Sequence, residues 1–281
     1  MTPVTLGIRV TAGAIGSVID LRTPRTGRVH SVFTHAVNLN LGEEMWTVVA
    51  PGGPDAAFTV RLSGAARPGG LGLRIGDPVY VRSGHVRVGP AVIDTRTAAR
   101  WLPRRYDVGL HGLGERVADL EAAARHVAWE GSWTLAGAIT AALAPCGRGD
   151  LDAAVRRAVG RGPGLTPAGD DVLVGILAVL TAPGAAAGRA PAADRLRAAL
   201  APALPGTTEI SRALLGQASR GHVSRPVWEL TSTVLSGRAA AASARARADV
   251  LATGATSGGD TCAGLVAACR LLFRSPEGTK A

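Results

Sequence analysis

Lysine is all but missing from this chain. Of its 31 basic residues only Lys280 is a lysine, the rest being arginine. Aromatic residues are scarce at 4% and cysteines number three. No apolar run approaches the ~20 residues that a membrane helix needs. The longest candidate, Val172 to Ala182, has the length of a buried core helix. Met1 to Arg9 carries no basic residue ahead of an apolar run, so neither secretion nor membrane insertion is expected. Cys146, Cys262 and Cys269 show no CxxC spacing, and an odd number of thiols suits a reducing compartment, which points to the cytoplasm.

The formal charge of +10 invites a nucleic-acid reading, since arginine neutralises phosphate. The arginines are scattered, however, with short clusters only, such as Arg104, Arg105 and Arg238, Arg245, Arg247. Few aromatics are present to stack on bases. Nucleic acid is therefore not an expected partner, whereas a basic field that attracts small anions is. The six histidines, His30, His35, His85, His111, His126 and His222, lack zinc-ligand spacing. Gly112-Leu-Gly114 lacks the third glycine of a dinucleotide fingerprint. The five tryptophans read as packing residues, and Cys262, without a partnered histidine, reads as a small buried thiol.

What is present is ample apolar material, 47% of 281 residues, enough to bury a sizeable core. From Arg28 to about Thr95, β-branched runs alternate with Gly and Pro: Val29 to Phe33, Met45 to Ala50, Phe58 to Leu62, Val79 to Val81 and His85 to Val88. Period-two alternation in Phe58-Thr-Val-Arg-Leu62 predicts strands with one buried face, in a small barrel or sandwich. After Pro103 the spacing becomes helical. Helices are predicted over Leu113–Trp129, Trp133–Leu143, Leu151–Val159, Gly169–Leu180, Ala192–Leu200, Thr207–Ser219, Pro226–Leu235, Ala239–Thr253 and Gly259–Phe273. Pro183 to Ala193 reads as a mobile loop. The expected fold class is α+β, with a β-rich domain over residues 1–105 and a helical domain over residues 106–281.

The chemistry concentrates in a repeated loop. Gly162-Pro-Gly-Leu-Thr-Pro-Ala-Gly-Asp-Asp171 opens one apolar helix, and Gly254-Ala-Thr-Ser-Gly-Gly-Asp260 opens another. Gly164, Thr166, Gly169 and Asp170 align with Gly254, Thr256, Gly259 and Asp260, 90 positions on, each copy reading G-x-T-x-x-G-D. Glycines let a ligand approach the backbone, and a helix N-terminus offers free N–H groups and a positive dipole end to phosphate or carboxylate. Gly258 and the hydroxyls of Thr166, Thr256 and Ser257 belong to the same expected binding set. Asp170, Asp171 and Asp260 have two readings: capping of the first helical turn, or a site in which they hold a cation, with Mg²⁺ the expected one, or accept a proton. A third segment, Pro205 to Gly221, brings Thr207, Thr208, Ser211 and Arg212 to a helix start. These either cap that helix or turn a polar face to the ligand, with Arg161 and Arg212 as anion contacts.

GLTPAGDDVLVG, TTEISRALLGQASRG and GATSGGDTCAGL, in this order and spacing, resemble the AllH family, a subunit of the heteromeric oxamate carbamoyltransferase. Looser likeness reaches the first half through Val29-His-Ser-Val-Phe33 and Asn38-Leu-Asn-Leu-Gly42. Ala168 departs from the family pattern, where serine is commoner, so no hydroxyl acts at that position. The resemblance implies carbamoyl transfer between carbamoyl phosphate and oxamate, to oxalurate and phosphate or in reverse, within purine and allantoin breakdown. It also implies partner enzyme subunits. Two other readings stand beside it. Gly169-Asp-Asp171 and Gly258-Gly-Asp-Thr261 are faintly similar to the acidic helix starts of Mg²⁺-dependent ADP-ribosylglycohydrolases, and a non-catalytic structural subunit would use the same loops to lock helices together.

Overall fold

The computed structural model describes residues 8–109, 111–145, 147, 149–183, 186–237 and 240–273. Cys146, Arg238 and Lys280 lie outside the described residues. The chain divides into two compact units between Pro103 and Arg104.

The first unit is a barrel of eight strands with a short ninth beside it. The strands are β1 (Ile8–Ile15), β2 (Arg25–Val32), β3 (Ala36–Leu41), β4 (Glu44–Val49), β5 (Thr59–Leu62), β6 (Pro78–Arg82), β7 (His85–Val88), β8 (Ala91–Asp94) and β9 (Ala99–Arg100). Their order is β5-β4-β3-β2-β6-β7-β8-β1-β9, and a further β5–β1 pairing closes the ring. Closure removes the open edges that a sheet would otherwise present. Alternation explains which way each strand faces. In β6 and β7, Val79, Val81, Val86 and Val88 are buried while Pro78, Tyr80, Arg82 and Arg87 are exposed. The inward set, with Leu39, Trp46, Val48, Val60, Leu62 and Ile93, fills the barrel. β1 and β3 carry Gly, Ala and Asn among their apolar positions, which hid them from the strand predictions.

The second unit contains α1 (Leu113–Ala124), α2 (Ser132–Leu143), α3 (Leu151–Ala158), α4 (Ala168–Leu180), α5 (Ala186–Leu200), α6 (Glu209–Ser219), α7 (Arg225–Ser236), α8 (Ala240–Leu251) and α9 (Ser257–Phe273). Two predictions are corrected. The first helix stops at Ala124 rather than Trp129. The stretch expected to be a mobile loop is helical from Ala186, with Pro191 inside the helix. Its alanine-rich run outweighs the local cost of one proline, and Arg189, buried within it, donates to Val179 O at 3.0 Å.

α4 is buried on all sides, Val174 alone being partly exposed, as an apolar helix without a polar face must be. Its main partner is α9, and α1, α2 and α6 pack around this pair.

Many arginines are spent inside the fold, on carbonyls at helix ends. Arg195 donates to Ala142 O and Leu143 O where α2 stops, and Arg197 to Ser219 O where α6 stops. Arg116 spans three carbonyls: Nε to Val234 O at 2.7 Å, Nη1 to His111 O at 2.6 Å and Nη2 to Gly109 O at 2.9 Å. Cations at helix C-termini satisfy orphan carbonyls and oppose the dipole. Lysine has no planar fork with which to serve three acceptors in fixed directions. Arg116→Lys is therefore expected to cost about 1–3 kcal/mol, read as a lower urea midpoint; an unchanged midpoint would remove this account of the arginines.

Candidate functional site

The first loop is shaped by glycine and closed by carboxylate. Gly162 and Gly164 adopt φ of 97° and 105°, which side chains rarely tolerate. Gly169 N donates back to Arg161 O at 2.8 Å, folding the loop onto the start of α4. Asp170, in the first turn of α4, accepts from Gly160 N at 2.9 Å through Oδ1 and from the Thr207 hydroxyl through Oδ2. One carboxylate thus joins the end of α3, the start of α4 and the approach to α6. Ser211 Oγ, buried, lies beside Asp170 without closing a hydrogen bond of ordinary geometry. Burial raises the Asp170 pKa, and the bonds from Thr207 and Gly160 oppose that rise.

The second loop uses its aspartate in the same manner on other partners. Gly258 N donates to Thr253 O at 3.0 Å and Asp260 N to Thr256 O at 2.9 Å. Asp260 Oδ1 accepts from Trp129 N at 2.8 Å and Ser132 Oγ at 2.7 Å, tying α9 to the segment that leads into α2. Asp260 Oδ2 is buried without a partner among the described residues.

The two loops meet at hydroxyl groups. Thr166 Oγ1 and Ser257 Oγ are 3.1 Å apart, and Thr166 also donates to Asp171 Oδ2 at 3.0 Å. Asp171 therefore sits between the N-termini of α4 and α9. Burial pushes its pKa up to about 8, against the lowering influence of Ser257 and Thr166, and the neighbouring Asp260 and Asp170 carboxylates add to the rise. At neutral pH Asp171 is mainly a neutral carboxyl and can donate a hydrogen bond.

Below these ends the helices cross at glycines. A Cβ on Gly175 would lie 2.0 Å from Thr261 O, and one on Gly264 would lie 2.0 Å from Val172 O. The two contacts exchange the helices at an offset of 89 positions, Gly175 corresponding to Gly264 and Val172 to Thr261. By packing, then, the counterpart of Asp260 is Asp171, not the Asp170 that motif alignment pairs with it.

The expected binding residues fall into groups. Thr166, Ser257 and Asp171 come together, and Gly164 is exposed at the loop. Gly169, Gly258 and Gly259 are buried where a Cβ would meet Ala158 O, Val250 O and Ala128 N at 2.0, 2.0 and 2.3 Å, so close packing already requires glycine there. Thr208 caps α6 by accepting from Ser211 N at 3.1 Å, and Thr207 is taken by Asp170. Thr256 supplies its carbonyl to Asp260 N. Arg212 donates to Leu204 O and Thr207 O, while Arg161 is exposed. Among the described residues no three His, Cys, Asp or Glu side chains are arranged to hold a metal ion. Cys262 and Cys269 are buried, which pushes both thiols up to about 12 and leaves them unreactive. Sequence reasoning missed Gly160, Trp129 and Ser132 as partners of the aspartates: the first two donate backbone N–H groups, which leave no trace in residue type, and the Ser132 hydroxyl comes from 128 positions away in the chain.

Two family models match the chain. One, described as oxamate carbamoyltransferase subunit AllH, covers residues 158–269, which include both loops. The other, described as the AllH family N-terminal domain, covers residues 10–100, the barrel strands. No curated protein and no solved structure matches. No helix among the described residues is long and apolar enough to cross a membrane.

Proposed function

The chain belongs to the AllH family, and from that premise we propose that it serves as one subunit of a cytoplasmic oxamate carbamoyltransferase, receiving a small carboxylate or carbamoyl phosphate between its two loops. The observation that carries the binding role is the Thr166–Asp171–Ser257 cluster, which joins the N-termini of two helices. Two positive helix ends favour an anion there. Three aspartates would repel one, but Asp171 is held toward its neutral form and so donates instead of repelling.

In carbamoyl transfer the bond between the carbamoyl carbon and phosphate oxygen breaks, a bond to the oxamate nitrogen forms, and that nitrogen loses a proton. A carboxyl that titrates near neutrality suits proton exchange in such a step. As an acid Asp171 hydrogen-bonds a ligand oxygen; as a base it takes the proton from nitrogen.

Calorimetric titration of carbamoyl phosphate, oxamate and oxalurate into the purified chain tests the binding role, with and without Mg²⁺ so that a cation requirement is read in the same experiment. A Thr166→Val, Ser257→Ala double variant is expected to bind at least about tenfold more weakly, the loss of roughly 1.4 kcal/mol. Equal affinity in parent and variant, or no saturable binding by either, would leave these loops as structural locks.

A further inference from the structure

β2 contains an irregularity that the paired loops do not use. Its register against β3 slips between Val29 and Ser31: Val29 faces Leu39, Ser31 faces Asn38, and His30 is the extra residue. Such a bulge re-aims side chains and sets two neighbours against one partner residue. Val29 and Leu39 belong to the barrel interior, whereas Asn38 alternates with Val37 and Leu39 and so lies on the other face of β3. His30 and Ser31, which in a regular strand would point to opposite sides, are brought together: His30 Nδ1 is 3.1 Å from Ser31 Oγ.

The bonds around this pair have a direction. Thr47 Oγ1 donates to Asn38 Oδ1 at 2.8 Å, which turns the amide so that Asn38 Nδ2 donates to Ser31 Oγ at 2.9 Å. Asn38 occupies one lone pair of Ser31 Oγ, and in the His30 tautomer protonated at Nε2 the serine proton points to Nδ1, 3.1 Å away. Both His30 and Ser31 are partly exposed, so a small molecule can reach them. A hydroxyl within hydrogen-bond reach of an imidazole is the pairing of a nucleophile with its base, and Asn38, by donating to Oγ, fixes where the hydroxyl stands.

We propose that Ser31 is a nucleophilic hydroxyl, with His30 as its general base and Asn38 as its positioning residue, that accepts a carbamoyl or other acyl group from an acyl phosphate. In that step Ser31 Oγ bonds to the carbonyl carbon. The bond from that carbon to the phosphate oxygen breaks, its electron pair leaves on phosphate, and the serine proton passes to His30 Nδ1. The Ser31–His30 pair is read from the barrel, whereas the acyl phosphate donor rests on the proposed carbamoyl-transfer function; acylation of Ser31 and anion binding at the paired loops can fail separately.

A polar ladder that only pinned β2, β3 and β4 would contain the same bonds but leave Ser31 no more reactive than any other hydroxyl. Treating the whole chain with acetyl phosphate and locating the acetyl groups by peptide mass spectrometry separates the two. Acetylation of Ser31 is expected to run at least about tenfold faster than that of Ser63 and Ser83. It is expected to vanish in Ser31→Ala and to fall by a similar factor in His30→Gln, whose fold is checked by its melting curve. Labelling of Ser31 at the rate of Ser63 and Ser83 in the parent chain would overturn the proposal, as would an undiminished rate in a folded His30→Gln.

Discussion

Gly175→Val is expected to prevent the helical unit from folding stably, a loss of more than about 3 kcal/mol. The Cβ itself would stand 2.0 Å from Thr261 O and 2.8 Å from Leu265 N, both backbone atoms of α9, so no side-chain rotation relieves the clash. Separating the helices would open voids along two almost wholly buried surfaces. Gly264→Val should behave alike, since it meets Val172 O at 2.0 Å and Ile176 N at 3.1 Å. The control has the opposite sign. Gly137, on an exposed face of α2, has nothing within 4 Å of its Cβ, so Gly137→Ala is expected to stabilise by about 0.5–1 kcal/mol through helix propensity. Urea denaturation of the three variants followed by circular dichroism checks both signs. A Gly175→Val midpoint equal to that of the parent would mean that the helices are free to separate.

That crossing shows where the sequence was legible and where it was not. The repeated G-x-T-x-x-G-D loop was visible as residue identity, and so was the helix after each copy. The register between the helices was not. The loops align at 90 positions, but the crossing glycines and their contacts repeat at 89, because α4 starts at Ala168 and α9 at Ser257. A one-residue difference in loop length moves the counterpart of Asp260 from Asp170 to Asp171, and only packing reveals it. The signal that could have found it was Gly175 and Gly264 inside otherwise apolar helices, where glycine costs stability unless close approach repays it. The loop glycines were read for ligand access, but Gly169, Gly258 and Gly259 face backbone. In the barrel, strands rich in valine announced themselves by alternation. Ile8–Ile15 and Ala36–Leu41 did not, since Ala, Gly and Asn occupy positions that would otherwise mark a face. The arginine excess suggested a field for anions, yet Arg116, Arg195 and Arg197 are committed to helix-end carbonyls.

Asp171→Asn should stabilise the protein, and by an amount that grows with pH. The folded-state pKa of Asp171 is raised to about 8 from the ordinary 3.8 of an aspartate, so between these limits the folded chain holds a proton that the unfolded chain releases. Stability contributed by this group is therefore greatest below about pH 4, falls as pH rises toward 8 and is level beyond. Asparagine keeps an acceptor for Thr166 and never ionises, so parent and variant should nearly coincide at pH 4 and diverge above it. The ceiling of the gap is on the order of 5 kcal/mol at pH 9, reduced to the extent that water reaches the carboxylate. Urea midpoints at pH 4, 6, 8 and 9 measure it, and subtracting one curve from the other cancels the titration of groups that the substitution leaves unaffected. A gap independent of pH would show that folding leaves the Asp171 pKa unshifted and the group ionised at neutral pH, and with it would go the neutral carboxyl that lets an anion enter between the helix ends. A gap that opens with pH has a corollary for binding: the parent should lose affinity for oxamate as Asp171 ionises, while Asp171→Asn should keep its affinity across the same range.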